Sequence, residues 1–260
     1  MEKVFVITGA SRGIGAALAH SLSKKPYKSS LVLVARNKSL LEQVASEVGG
    51  CVPCLPIAGD ITHPNTRREI IEKTIEKFGK IDCLINNAGL IAPLQQVASY
   101  SSGDLEQVET TFATNITSVI QLTNLALPWI RKSQGTILFM SSGAALRPMM
   151  GWSVYCSSKA ALHMFCQCLA LEEASNHVKC VNVRPGVVET EMIQTVKLQG
   201  KSVMSEQDYQ RIAEEKGVVI SAEESAKHIA ALAYYCTDGL SGKFVSYKDE
   251  IVLEFLKKQE

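Results

Sequence analysis

Seven short apolar runs separated by helical stretches constrain this chain more tightly than anything else in it. Residues 3–8, 30–35, 52–58, 81–86, 135–141, 179–184 and 243–246 are apolar and β-branched, and read as strands. The early runs are almost continuously apolar, which suits strands covered on both faces. Between them, residues 13–24 put Ile14, Ala17, Leu18 and Leu22 on one helical face, and residues 37–48 do the same with Leu40, Leu41, Val44 and Val48. Residues 63–78 repeat Ile70, Ile71 and Ile75, reach Phe78 and stop at Gly79. Ser221 and Glu224 read as a capping box ahead of a helix over 226–236. Alternation at this spacing builds a parallel sheet with helices on both faces and right-handed crossovers. The expectation is an α/β chain: one doubly wound domain over residues 1–260 with about seven parallel strands.

Composition narrows the function classes. With 46% hydrophobic and 20% charged residues, the chain is not disordered, collagen-like or a coiled coil. Its formal net charge of +1 supplies no global field toward nucleic acid or an anionic membrane, so neither is expected as a partner. Apolar runs such as residues 31–35 fall far short of the roughly 20 residues of a membrane span. Eight cysteines are present; Cys51-x-x-Cys54 resembles half of a zinc ribbon, but its other half is missing, so no metal is expected. Several other cysteines sit inside apolar runs as small hydrophobes. With no signal-peptide pattern at residues 4–8, the expected location is the reducing cytoplasm.

The first strand runs into Thr8-Gly9-Ala10-Ser11-Arg12-Gly13-Ile14-Gly15, and a helix begins at once. Glycines let the backbone approach a diphosphate, and the helix start offers free N–H groups. The second strand ends in Ala35-Arg36-Asn37, where an NAD enzyme usually carries an acid for the adenosine ribose. Arg36 and Arg12 can instead pair with a 2′-phosphate, so NADP(H) is the expected cofactor.

The most informative segment is Ser141-Ser142 followed by Tyr155-Cys-Ser-Ser-Lys159. Tyr155 and Lys159 share a helical face, and Ser142 ends the preceding strand. A neighbouring ammonium is expected to lower the phenol's pKa, and the serine hydroxyl to bond a substrate carbonyl. With Gly59-Asp60-Ile61, Asn86-Asn87-Ala88-Gly89, Ala113-Thr-Asn115 and Pro185-Gly186-Val-Val-Glu-Thr190 in that order, the sequence resembles the short-chain dehydrogenases/reductases along nearly its whole length. The resemblance implies a Rossmann-type fold and assigns roles. Asp60 and Ile61 would hold the adenine. Asn87, Ala88 and Gly89 would line the adenosine ribose side, and Tyr155 and Lys159 would bond the nicotinamide ribose. Val188 and Thr190, after Pro185 and Gly186, would anchor the carboxamide. Asn115 would bend its helix and offer a carbonyl to a water that joins Lys159 to a proton relay. Tyr155 would be the general acid, with Ser142 polarising the carbonyl.

Residues 151–162 look like the fungal benzil reductases and their relative sepiapterin reductase, and residues 241–249 are similar to the latter's ending, where the last Asp anchors the pterin. Asp249 would be the matching carboxylate. Met149, Met150 and Trp152, with Val187, Val188, Met192, Ile193 and Val196, are expected to make an apolar pocket for a ketone. Residues 190–221 read as a helical lid. The activity implied is NADPH-dependent reduction of a ketone or vicinal diketone. The alternatives are an NADP(H)-binding regulator without turnover and an NAD-linked alcohol dehydrogenase. The family commonly pairs through long helices, here about 105–132 and 152–175, so a homodimer or homotetramer is expected.

Overall fold

The computed structural model describes residues 2–213 and 218–258. The strands are β1 (Lys3–Thr8), β2 (Ser29–Ala35), β3 (Cys54–Ala58), β4 (Cys83–Asn86), β5 (Thr136–Met140), β6 (Lys179–Arg184), β7 (Val187–Val188), β8 (Val219–Ile220) and β9 (Phe244–Ser246). Seven of them form one parallel sheet in the order β3-β2-β1-β4-β5-β6-β9, so the expected doubly wound architecture is present. The order reverses between β1 and β4, and such a switch point opens a crevice at the carboxyl ends of the strands.

Both faces of the sheet are covered, and the period of two decides which residue faces which layer. Phe5, Ile7, Leu31 and Leu33 point to one layer, packed with Leu18 and Leu22 of α1 (Gly13–Leu22), Leu41 and Val48 of α2 (Lys38–Gly49) and a later helix. Val4, Val6, Val32 and Val34 point to the other, where α3 (Pro64–Phe78) supplies Ile70 and Ile71. α3 begins on Pro64 and ends on Gly79 at φ 73°, whose N–H donates to Ile75 O over 2.9 Å.

The long helix expected over 105–132 is three pieces: α4 (Ser102–Phe112), a single π turn over Ala113–Thr117, and α5 (Ser118–Ser133). α4 starts earlier than expected because Ser101 and Asp104 make a reciprocal capping box. α6 (Ser153–Glu172) follows β5, and its Leu162, Cys166 and Leu169 pack with Val119, Leu122 and Ala126 of α5 beneath the sheet. Residues 190–213 fold as α7 (Glu191–Gln199) and α8 (Glu206–Ala213); residues 214–217 of the expected lid lie outside the described residues. Ile193, Val196, Val203, Met204 and Ile212 of this segment cluster with Trp152 and Tyr155. β7 and β8 pair in parallel as a separate two-stranded ribbon on either side of this segment in the chain. α9 (Ala222–Tyr235) begins four residues before the expected 226, because Ser221 Oγ accepts the Glu224 N–H at 3.0 Å. It packs Ile229 and Leu232 into the first layer, as α10 (Glu250–Lys257) does with Val252 and Phe255. Among the described residues, no helix is long and apolar enough to cross a membrane.

Candidate active site

Two connected cavities open at the carboxyl ends of the strands. The larger, of about 1120 Å³, runs past Gly9, Ser11, Arg12, Gly13, Ile14, Arg36, Asn37, Asp60, Ile61, Asn87, Ala88 and Gly89. The smaller, of about 350 Å³, is lined by Ser142, Met149, Trp152, Tyr155, Lys159, Pro185, Gly186 and Val188. They share Ile14, Asn87, Gly89, Thr190 and Met192, so one opens into the other.

The glycine turn is built as its sequence implies. Gly9 has φ 68°, a left-handed conformation, and a β-carbon on Gly15 would stand 2.2 Å from Gly9 O. Thr8 and Asn87 tie this turn to the end of β4: Thr8 Oγ1 accepts the Asn87 and Ala88 N–H groups at 3.0 and 3.1 Å, and Asn87 Nδ2 donates to Thr8 O at 2.8 Å. The first turn of α1 contains no acid, and Arg12 at its N-cap makes no side-chain cap bond.

Several residues here also have structural partners. Arg12 is ion-paired with Glu191 at the start of α7. Arg36 Nη1 stands 3.8 Å from Asp60 Oδ2, while Asp60 Oδ1 accepts from Thr62 N and Oγ1, each at 2.8 Å. Burial opposes ionisation of Asp60, but the Thr62 bonds and the Arg36 charge outweigh it and hold its carboxyl below the ordinary value. Asn37 caps α2, its Oδ1 accepting the Leu40 N–H at 3.0 Å.

Ser142 leaves the end of β5 with its Oγ accepting the Ala144 N–H at 3.2 Å and its hydroxyl beside the Tyr155 phenol, with which it hydrogen-bonds. Tyr155 and Lys159 are buried on one face of α6, and the Trp152 indole stacks edge-on against Tyr155, with centroids 5.6 Å apart at 81°. Asn115 sits in the π turn. Its Oδ1 accepts the Leu90 N–H at 2.8 Å, and its Nδ2 donates to Leu90 O at 2.9 Å and to Ser158 Oγ at 3.0 Å. It thus ties the loop after β4 to α6. Gly89 lies at this junction, where a β-carbon would be in ordinary contact with Asn115 Oδ1 at 3.4 Å and Lys159 Nζ at 3.5 Å.

The expected effect of Lys159 on Tyr155 is not what the geometry gives. Burial pushes the phenol up to about 12, partly opposed by the neighbouring Ser142 hydroxyl. Lys159 Nζ instead donates to Met140 O at 2.7 Å and lies 5.7 Å from the centre of the Tyr155 ring. Burial pulls its own pKa down to about 8. The phenol is therefore held protonated, as an acid.

Three substrate-side expectations are corrected. Met150 is exposed and lies outside the smaller cavity, and Val196 is buried in the cluster beneath α7 rather than in the cavity wall. Asp249 is exposed, lines neither cavity, and starts α10. Its Oδ2 accepts the Ser246 N–H at 2.8 Å, and its own N–H donates to Ser246 O at 3.0 Å. A carboxylate at a helix start closes a turn as readily as it holds a ligand. Asp249→Ala should therefore cost about 1 kcal/mol, lowering Tm by about 2–4 °C in a domain of this size, and leave kcat/KM for carbonyl substrates within about twofold. A substrate-selective loss of activity with unchanged Tm would return Asp249 to the substrate site.

The model of the short chain dehydrogenase family matches residues 3–200, and the chain belongs to that family of oxidoreductases. A benzil reductase ((S)-benzoin forming) of Saccharomyces cerevisiae is 34% identical over 257 residues, covering 96% of this chain and 97% of that protein. The crystal structure of a short-chain dehydrogenase/reductase from Saccharomyces cerevisiae superposes with a TM-score of 0.88 at 31% identity, covering 97% of this chain and 99% of that one. The L-sorbose reductase of Gluconobacter frateurii, solved in complex with NADPH and L-sorbose, gives 0.80 at 27% identity over 94% of each chain.

Proposed function

We propose that this protein reduces a ketone or vicinal diketone with NADPH, Tyr155 supplying the proton. One observation carries the reading: Ser142, Tyr155 and Lys159 line the smaller cavity, which opens into a groove with a glycine turn and a helix start on its wall. The residues present fit a dinucleotide, since the uncapped, acid-free start of α1 faces that groove and its glycines leave no room for side chains. When bound, the reduced nicotinamide supplies the hydride.

The chain's own residues do the rest. Ser142, released from its bond to Tyr155 when a ketone enters, donates its hydroxyl to the carbonyl oxygen and steadies the charge that develops there. Tyr155, held protonated by burial, transfers its proton to that oxygen. Lys159 is fixed by Met140 O near the ring of Tyr155 and, with the Asn115 carbonyl, forms the inner end of a proton path. The benzil reductase relative supports carbonyl chemistry, and the NADPH-bound relative supports the cofactor.

NADP selectivity rests on Arg36 and Arg12, both of which line the groove. Removing a charge-assisted contact to a 2′-phosphate costs about tenfold or more in affinity. Arg36→Ala should therefore raise KM for NADPH at least about tenfold and leave KM for NADH nearly unchanged; equal effects on both would remove Arg36 from the phosphate site. Leu105 on α4 and Met164 and Leu171 on α6 are exposed, which supports pairing of α4 and α6 with a second copy in a homodimer or homotetramer. The eight cysteines are all free, which supports a reducing location such as the cytoplasm.

A further inference from the structure

The smaller cavity carries positive charge that a neutral ketone would not use. Three guanidinium groups line it: Arg147 from the turn after β5, Arg184 at the end of β6 and Arg211 on α8. Arg147 is neutralised by Asp208, Nη2 to Oδ1 at 2.5 Å. Burial opposes ionisation of Asp208, but the Ser205 hydroxyl and Arg147 overcome it, and the field of Arg211 adds to their effect. Asp208 is thus ion-paired with Arg147 alone of the three guanidinium groups, and among the described residues no Asp or Glu lines the cavity itself. Among the described residues, neither Arg184 nor Arg211 has an ion-pair partner. Arg184 Nε stands 3.5 Å from where a β-carbon on Gly143 would be, beside the residue that follows Ser142.

The unsatisfied polar atoms point the same way. Two residues that line the cavity each bury a side-chain nitrogen with no hydrogen-bond partner among the described residues, Arg211 Nε and Trp152 Nε1. Trp152 as a whole is only 5% exposed. Both atoms can only donate, so what satisfies them must be an acceptor. Leaving a buried donor unpaired is costly, and a site built of such donors rejects a ligand that cannot accept from them.

We propose that the substrate is an oxo acid: a ketone that carries a carboxylate, held by Arg184, Arg211 and the Trp152 N–H, with its carbonyl against Ser142 and Tyr155. This rests on the reductase reading above and narrows its substrate class. The planar fork of a guanidinium matches a carboxylate, whereas a diketone offers it no charge. Ile91, Met149 and Ile193 receive the apolar body of the molecule. The reaction is otherwise unchanged: the carbonyl carbon gains a hydride from the reduced dinucleotide, its oxygen gains the Tyr155 proton, and the products are the hydroxy acid and the oxidised dinucleotide.

Phenylglyoxylate and its methyl ester test this, since they share ring and ketone and differ by one charge. The ester's ketone is the more electrophilic, so intrinsic reactivity works against the expected order. With NADPH, kcat/KM for the acid should exceed that for the ester by at least about tenfold. Arg184→Gln and Arg211→Gln should each raise KM for the acid about tenfold or more and bring the acid-to-ester ratio to within about threefold. Arg184→Lys, which keeps the charge and loses the fork, should recover part of the ratio. Equal kcat/KM for acid and ester in the unsubstituted protein overturns the oxo-acid assignment and leaves the reductase reading standing. Acid preference that survives both glutamine variants overturns the roles of Arg184 and Arg211. If neither compound nor benzil oxidises NADPH, the reductase reading itself falls. Should a variant not fold, the ratio in the unsubstituted protein still decides.

Discussion

Tyr155→Phe should leave a folded protein that binds NADPH and has lost about 10²–10⁴-fold in turnover, the range that general acid catalysis contributes. The substitution removes one oxygen and keeps the ring, so the edge-on contact with Trp152 and the packing around α6 remain. What is lost is the proton. Burial keeps the phenol protonated, with a pKa pushed up to about 12, so near neutral pH the acid stands loaded before a ketone arrives. Ser142 does not replace it, because its role is to donate a hydrogen bond to the carbonyl, oriented by the Ala144 N–H on its oxygen. Absorbance of the reduced nicotinamide reads turnover, and calorimetric titration reads NADPH affinity, expected within about threefold of the unsubstituted protein. Turnover within tenfold of normal would take the acid role from Tyr155. An absence of turnover in the unsubstituted protein, with NADPH still bound, would favour the regulator alternative.

The site's chemistry could be read in the sequence wherever it depends on spacing along one element. Tyr155 and Lys159 lie on one helix, and the glycine turn lies between one strand and one helix, so period and order are enough. The sheet was legible for a related reason: its central strands β1, β2, β4 and β5 are buried on both faces, so apolarity alone marks them, with ends misplaced where Pro53 and Asp82 flank β3 and β4. The π turn around Asn115 left no local mark, because it is held by Leu90 and Ser158, far away in the chain. Arg147, Arg184 and Arg211 come from three separate segments and meet only across the cavity, so nothing in their spacing announces them. Asp249 was legible as a carboxylate but not as a turn closure, since the signal lies in its distance to Ser246.

Lys159→Met should abolish most turnover and, at neutral pH, make the protein more stable. The two outcomes have one cause. Lys159 is buried against Met140 O, and burial lowers its pKa to about 8, so the folded state disfavours the ammonium. An unfolded lysine titrates near 10.4. Below pH 8 both states are protonated and the folded state bears the full penalty, about 3 kcal/mol at 1.36 kcal/mol per unit. Between about pH 8 and 10.4 the unfolded chain binds the extra proton, so stability rises with pH and the penalty fades to nothing. Methionine fills a similar volume without charge, and losing the bond to Met140 O offsets about 1 kcal/mol of the gain. The net expectation is about 1–2 kcal/mol, or about 2–6 °C in Tm at pH 7, shrinking steadily above pH 8. Scans of both proteins from pH 6 to about 10 read this directly, and a pH-independent difference would show that burial does not lower the Lys159 pKa. The catalytic arm follows from the same group. Turnover of the unsubstituted protein should fall along an alkaline limb near pH 8 as the ammonium beside Tyr155 is lost, and the limb should vanish from the residual activity of Lys159→Met. A protein that keeps a destabilising cation at its centre does so for the reaction, and a stable variant without turnover is how that conflict would be measured.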